Sequence, residues 1–135
     1  MSVATVDEMR VPHNTPIWYF IKGKKIYFRA QPYKKKILNI KSNPNVSCLV
    51  EDGRKYSELR GVVIQGTAMI VEEERVRKII NEGLKTRYAK ERDYENMPEH
   101  WRDRFLKEKR AIVEVTPKRI LSWDNRKWKV AEKTG

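Results

Sequence analysis

Residues 26–40 of the chain read IYFRAQPYKKKILNI, and this stretch decides how the fold is predicted. Its first six residues alternate in polarity, with apolar side chains on one face at Ile26, Phe28 and Ala30. An alternation with a period of two residues is typical of a β-strand that is buried on one face. Pro32 has no amide hydrogen to donate to a neighbouring strand, so the strand is expected to end there.

Three lysines, Lys34, Lys35 and Lys36, follow this strand and begin a short segment with apolar residues at helical spacing. The first turn of a helix has free backbone amides, which attract an anion. Lysines at that end oppose the helix dipole unless an anion lies among them. The segment therefore predicts a site for a phosphorylated ligand, and the alternative is an ordinary solvent-exposed lysine face.

The rest of the chain predicts short strands joined by tight turns. We expect strands at residues 3–6, 17–21, 46–51, 59–72 and 111–115, and a last pair at 119–123 and 127–130. Helices are expected at residues 34–41, from 72 to about 85 or 88, and at 98–107. Since most strands adjoin through short turns, the predicted fold class is α+β, a mainly antiparallel barrel with two or three flanking helices.

Four details of this prediction concern single residues. Gly66, inside the longest strand, predicts a β-bulge, and the pair Thr116-Pro117 is expected to end the strand that it follows. Pro12 and Pro16 should limit pairing, so an irregular or edge strand is expected after them. Both later helices should bury one face, with inward side chains expected at Val76, Ile79, Ile80 and Leu84 and at Trp101, Phe105 and Leu106.

Composition favours one basic domain of 135 residues that attracts anionic partners. Lysine and arginine number 30 against 18 acidic residues, a formal charge of +12 that would attract phosphorylated cofactors and nucleic acids alike. Charged residues make up 36% of the chain and glutamines only two, a balance common in thermophile proteins. Thermal adaptation would account for part of the lysine excess.

Several functional classes find no support in the sequence. Cys48 is the only cysteine, which excludes an internal disulfide, and His13 and His100 have no metal-ligand spacing. There is no nucleophile elbow and no glycine-rich dinucleotide loop. No apolar segment approaches the ~20 residues that span a bilayer, so we expect a soluble cytoplasmic protein without a membrane partner.

Motifs spread along the chain resemble the pyridoxamine 5'-phosphate oxidase-like family of flavin-binding split β-barrels. The central one is Lys35-Lys36-Ile37-Leu38-Asn39-Ile40 followed by Asn43-Pro44-Asn45-Val46-Ser47, which is similar to the phosphate-binding motif of that family. The likeness extends to residues 12–19, 60–68 and 117–120, in the order of the family. It implies a split barrel that spans the whole chain, residues 1–135, as one domain.

The resemblance also implies a cofactor, flavin mononucleotide (FMN), and the residues that bind it. Aligned without gaps, the basic pair of the family falls on Lys35 and Lys36, and Lys36 is the stronger candidate for the phosphate. The residues that would line the flavin are Arg29, Ala30 and Gln31 on the strand, with Pro16, Ile17 and Trp18 beside the ring. The family usually has Thr or Ser at the position of Ala30, so a hydroxyl contact would be lost here.

The function expected from this resemblance is an FMN-dependent oxidoreductase that acts on an unidentified small molecule. It would be a homodimer that holds each cofactor between its subunits, because so short a barrel can cover only one side of a large planar ring. Gly61 stands where the oxidase has a glutamine that reaches the partner's flavin, and Arg119-Ile120-Leu121 stands near its Arg-Leu-His substrate clamp. Both departures argue against pyridoxamine phosphate as the substrate.

Two other functions remain open at this point. Related split barrels bind a deazaflavin coenzyme with the same phosphate-side lysine, so that coenzyme is the first alternative to FMN. The second is a basic barrel that binds single-stranded nucleic acid, with Trp18, Tyr27, Arg29 and the lysine run as a stacking and phosphate platform. Neither a catalytic residue nor a metal site is predicted.

Overall fold

The computed structural model describes residues 1–128, which form seven strands and three helices. The strands are β1 Ser2–Val6, β2 Pro12–Pro16, β3 Tyr19–Lys22, β4 Lys25–Ala30, β5 Asn45–Asp52, β6 Arg60–Val71 and β7 Ala111–Asp124. The helices are α1 Lys35–Ser42, α2 Glu74–Arg87 and α3 Glu99–Lys107, with 3-10 turns at Tyr56–Glu58, Tyr94–Asn96 and Asn125–Lys127. The expected α+β class, a mainly antiparallel split barrel with flanking helices, is confirmed.

One curled antiparallel sheet contains all seven strands, in the order β2-β1-β5-β6-β7-β4-β3. The two long strands β6 and β7 form its centre, and they pair from Arg60 with Asp124 to Val71 with Ile112. The register shifts between Gln65 and Gly66, which confirms the predicted bulge. A Cβ at Gly66 would collide with the backbone oxygen of Thr116, so glycine is required for the strands to approach there.

The predicted break at Thr116-Pro117 is wrong, because β7 continues through both residues to Asp124. Pro117 is tolerated for two reasons: it pairs with Gly66 at the bulge, and β4 covers β7 only from Ala111 to Val115. No neighbouring strand on the β4 side requires its missing amide hydrogen. The strand predicted at residues 119–123 is present, but as the last part of β7 rather than as a separate strand. Its predicted partner at 127–130 is wrong at Lys127, which lies in the 3-10 turn Asn125–Lys127, while 129–130 lie outside the described residues.

The core lies on both faces of β4. On one face Ile26, Phe28 and Ala30 are buried with α1 and the inner residues of β1, β5 and β7, as the alternation predicted. On the other face Tyr27 is buried with Ile112 beneath α2, although the sequence assigned Tyr27 to an exposed side. Side chains in the middle of β4 are therefore packed against other residues on both faces of the sheet.

Two corrections concern the helices. In α2 Ile80 and Leu84 are buried as expected, but Ile79 is exposed and Arg77 is buried in its place, donating to the backbone oxygens of Val71 and Arg110. In α3 no residue is fully buried, and Trp101 and Leu106 are exposed rather than inward. In the short, highly charged α3 Phe105 is half-buried, and its ring lies under the Arg110 guanidinium.

The edge strand expected after Pro16 is present as β3, but Pro12 and Pro16 do not prevent pairing, since both belong to β2 and pair with β1. β2 and β3 are the two edge strands of the sheet, and β2 pairs only with β1. β2 itself, from Pro12 to Pro16, was not predicted as a strand. Because β2 lies at an edge, no strand on its outer side requires the amide hydrogen that a proline lacks.

Candidate functional site

A cavity of about 700 Å³ opens beside the carboxyl end of β4. Its walls come from the link between β2 and β3, the end of β4, the start of α1, and the segment that joins α2 to β7. The residues that line it are Met1, Pro16, Ile17, Trp18, Arg29, Ala30, Gln31, Lys34, Lys36, Leu84, Glu91, Arg92, Asp93, Tyr94, Met97, Phe105 and Arg110. Seven of the nine residues predicted from the sequence are thus brought together around one space.

Lys36 is the buried cation of this cavity. Its residue is only 9% exposed, and within residues 1–128 it forms no ion pair. Burial, together with the nearby charge of Lys34, lowers the pKa of Lys36 below its ordinary value. Partial loss of hydration disfavours the charged form of this lysine, and a bound anion would favour that form again.

The position of Lys36 is fixed by how α1 packs on the sheet. The Asn39 side chain donates a buried 3.0 Å hydrogen bond to the hydroxyl of Thr5 on β1, and Ile37 and Ile40 enter the core. The amide of Lys34 donates to the carbonyl of Gln31 at 3.1 Å, which closes the turn from β4 into the helix. The helix begins at Lys35, one residue later than predicted, and Lys34 precedes it in an extended conformation.

Two predicted site residues lie away from this cavity. Lys35 is exposed, and its ammonium group is 3.6 Å from the carboxylate of Asp7. Gly61 lies in the distal half of the β6–β7 pair, where the indole of Trp123 covers the place of a Cβ. Lys34, which the sequence did not single out as a cavity residue, lines the cavity instead of Lys35.

An aromatic wall stands at the rim. Trp18 is stacked on Tyr88, with ring centroids 4.5 Å apart and an angle of 5° between the rings. The hydroxyl oxygen of Tyr88 accepts a 3.0 Å hydrogen bond from the amide of Tyr19. The preceding backbone is also held, because the amide of Ile17 donates to the carbonyl of Met1 at 2.8 Å. A flat apolar surface is thereby presented beside a buried cation.

Three arginines form a second basic group on the cavity wall. Arg29 donates from Nη1 to the side-chain oxygen of Asn81 at 2.8 Å, and Arg110 donates to the carbonyl of Phe105 at 2.9 Å. Arg92 lies with them, and its Nε and Nη2 are buried without any hydrogen-bond partner. Burial, then the charges of Arg110 and Arg92, lower the pKa of Arg29 to about 10. The sequence pointed to Arg29 alone.

The described residues offer binding chemistry rather than a protein-based reaction centre. Within residues 1–128 no three His, Cys, Asp or Glu side chains are placed to hold a metal ion. Cys48 is fully buried, and burial raises the pKa of its thiol to about 11, which keeps it unreactive. No helix in this part of the chain is long and apolar enough to cross a membrane. The arrangement suits a ligand with a planar ring and at least one anionic group.

Comparisons with known proteins agree with this geometry. The sequence model of the pyridoxamine 5'-phosphate oxidase family matches residues 1–124. A conserved hypothetical protein of Mycobacterium tuberculosis is 30% identical, with a TM-score of 0.79 over 95% of this chain and 78% of the other. No curated protein sequence matches the chain.

Two more distant structures share the fold alone. A FAD-binding protein of Mesorhizobium loti is 18% identical, with a TM-score of 0.67 over 90% of this chain and 81% of the other. An F420 reductase is 24% identical, with a TM-score of 0.63 over 89% of this chain and 86% of the other.

Proposed function

The chain belongs to the pyridoxamine 5'-phosphate oxidase family, and from this premise we propose that it is an FMN-binding oxidoreductase that acts on a small molecule. The observation that carries the proposal is the buried, unpaired Lys36 beside the flat wall of Trp18 in one cavity. A flavin mononucleotide has the two matching parts, a phosphate and a planar tricyclic ring. The volume of about 700 Å³ lies within the ~300–1,000 Å³ usual for ligand sites.

Lys36 would bind the phosphate, since its ammonium group is the cation that burial leaves without a partner. Lys34, on the same wall, adds a second positive charge. Together they could neutralise a dianion, and the pKa of Lys36 would rise again when the phosphate binds. Lys35 is not needed for this role, because its side chain is directed to Asp7.

The ring would lie against the link between β2 and β3 and the end of β4. Pro16, Ile17 and Trp18 provide the apolar wall, while Ala30 and Gln31 present backbone and amide groups at the end of the strand. Ala30 has no hydroxyl, so any hydrogen bond there must come from the main chain. When bound, the flavin supplies the redox chemistry itself, and the residues of the chain hold it, orient it and exclude water.

A second copy of the chain would complete the site. β7 is exposed at every residue from 118 to 123, and its large apolar side chains Ile120, Leu121 and Trp123 are 41–62% exposed. Monomeric proteins rarely leave such a stretch of central strand uncovered. Gly61 lies on the neighbouring β6, so a predicted flavin contact at Gly61 would have to be made across a homodimer interface.

A deazaflavin coenzyme remains the main alternative cofactor, and the likeness to an F420 reductase favours keeping it. Both cofactors carry a phosphate on a ribityl chain, so Lys36 does not discriminate between them. The residues that contact the ring must therefore determine whether FMN or the deazaflavin coenzyme binds more tightly.

The test is a titration of the purified protein with FMN, with riboflavin as a control that lacks the phosphate, and with the deazaflavin coenzyme. Tight, saturable binding of one FMN per chain with quenched fluorescence is expected, and riboflavin should bind more weakly. Preference for the deazaflavin coenzyme would replace FMN as the cofactor. Saturable binding of none of the three would contradict the proposed function.

A further inference from the structure

We propose that Arg29, Arg92 and Arg110 form a second anion site in the cavity, which binds the carboxylate or phosphate group of the substrate. The identification of this anion as part of the substrate rests on the proposed function. The existence of the anion site does not. The three arginines are brought together from β4, from the segment after α2 and from the residue before β7.

The first argument is that this positive charge is not neutralised within the described chain. Among residues 1–128 none of the three guanidinium groups forms an ion pair. Of the carboxylates around the two cavities, Glu108 pairs with Arg104 at 2.8 Å, Glu74 pairs with Lys109 at 3.2 Å, and Asp93 accepts from the Asn96 side chain at 2.6 Å. Glu91, next to Arg92, forms no ion pair with any of the three arginines within residues 1–128. Like charges held together without a counterion destabilise the folded state.

The second argument is that two of the arginines are oriented by neutral partners. Asn81 fixes Arg29, while the carbonyl and ring of Phe105 fix Arg110, with the guanidinium carbon 3.6 Å from the ring centroid. Such contacts direct a guanidinium group without cancelling its charge. The buried Nε and Nη2 of Arg92 have no partner at all. Two oxygens of a carboxylate or a phosphate group could accept from both nitrogens at once, which is the usual bidentate geometry of these groups with arginine.

The third argument separates this group from the proposed phosphate site. The charge that lowers the pKa of Lys36 is that of Lys34, whereas the charges that act on Arg29 are those of Arg110 and Arg92. All three arginines also line a second, more polar cavity along α2 of about 1,010 Å³, which Lys36 does not reach. The arginines therefore lie on the walls of both cavities.

The chemistry implied is recognition of a small anionic substrate beside the cofactor. An oxyanion that bridges Arg92 and either neighbour would position the remainder of the substrate in the apolar part of the cavity. No covalent step is assigned to the arginines, and their role is to bind and orient.

The experiment measures binding of inorganic phosphate and of succinate to FMN-loaded protein by calorimetry, at an ionic strength held constant with chloride. Wild-type protein should bind at least one of the two probes, and Arg92→Gln should weaken that binding about tenfold to a hundredfold. FMN affinity should stay unchanged in Arg92→Gln. The control is Arg54→Gln, which removes the same charge from an exposed loop and should alter none of these values.

Failure of the arginine site can be told apart from failure of the flavin proposal. If FMN does not bind, phosphate and succinate are titrated instead into the Lys36→Ala variant and into the Lys36→Ala, Arg92→Gln double variant. Phosphate binding that is weaker in the double variant would still support the arginine site. Binding of neither probe, or equal weakening by Arg54→Gln, would overturn it. Thermal melting provides a second check, since ligand-free Arg92→Gln should melt no lower than wild type because it relieves repulsion, and a clearly lower melting temperature would indicate a structural role instead.

Discussion

Trp18 and Tyr88 stack face to face at the rim of the cavity, although they come from distant parts of the chain: the link after β2 and the end of α2. Their centroids are 4.5 Å apart and their rings are within 5° of parallel. Tyr88 is also tied to the backbone of Tyr19 through its hydroxyl. Trp18 is 43% exposed, so the stack rather than burial keeps its ring in a fixed orientation.

Tyr88→Ala should therefore weaken the binding of FMN and of riboflavin by the same factor, about two- to tenfold. Without the stack the Trp18 ring is no longer held in place, and both ligands would lie against that ring. Tyr88→Phe is the matched control, since it keeps the stack and removes only the hydroxyl. Fluorescence titration of both ligands on both variants measures this. A selective loss of FMN in Tyr88→Ala would show that Tyr88 acts on the phosphate end instead.

Lys36→Ala should weaken FMN about tenfold to a hundredfold and leave riboflavin nearly unchanged. The lost ammonium–phosphate contact, worth roughly 1.5 to 3 kcal/mol, exists in only one of the two ligands. Lys35→Ala removes the same charge one residue earlier and should change neither affinity, because Lys35 faces Asp7. Equal weakening of both ligands by Lys36→Ala would remove Lys36 from the phosphate site.

Cofactor and dimer should dissociate together on dilution. If the ring is held between subunits, flavin stabilises the dimer by the same free energy by which dimerisation strengthens flavin binding. Sedimentation and flavin fluorescence across one dilution series test this linkage. A stable monomer that keeps its flavin at full stoichiometry would rule out the shared site, while leaving the assignment of Lys36 intact.

Gly66→Ala should lower the free energy of unfolding by roughly 1 to 3 kcal/mol, because the added methyl group meets the backbone oxygen of Thr116. Gly61→Ala is the comparison within the same strand. Its new methyl group meets only the side chain of Trp123, and a side chain can change rotamer where the backbone of Thr116 cannot move, so the cost should be smaller. Urea denaturation of both variants gives the two values, and an equal cost would mean that the bulge can relax.

Local pattern was sufficient to predict most of the fold. The alternation of Ile26, Phe28 and Ala30 gave β4 and its buried face, and Gly66 gave the bulge. The errors arose where a tertiary neighbour decided the outcome. Pro117 is tolerated only because a bulge lies opposite it and β4 has already ended, and neither condition is visible in the residues around Pro117.

The candidate site divides in the same way. Pro16, Ile17, Trp18 and the end of β4 could be predicted because they lie in family-like motifs, and the structure brings them to one cavity. Lys34 belongs to the predicted lysine run but was not among the predicted cofactor contacts, because the family-like basic pair falls on Lys35 and Lys36, whereas Lys34 is the exposed lysine that lines the cavity. Arg92 and Arg110 could not be found, since the charged segment that carries them has no periodicity and its side chains are arranged by contacts with Tyr94 and Phe105 of the same segment, which no local pattern predicts.

The strand order imposes a sequence of events on synthesis of the chain. β4 joins the sheet only through β7 and the edge hairpin with β3, and β7 begins at Ala111. β1, β2, β5 and β6 are complete by Val71 and can pair earlier on a ribosome. The hairpin β3–β4, which carries Trp18 and Arg29 to the cavity, must wait for β7, the last strand of the described residues. The ligand-binding half of the molecule is therefore the last to assemble, and its long-range pairing makes it the slow step of folding.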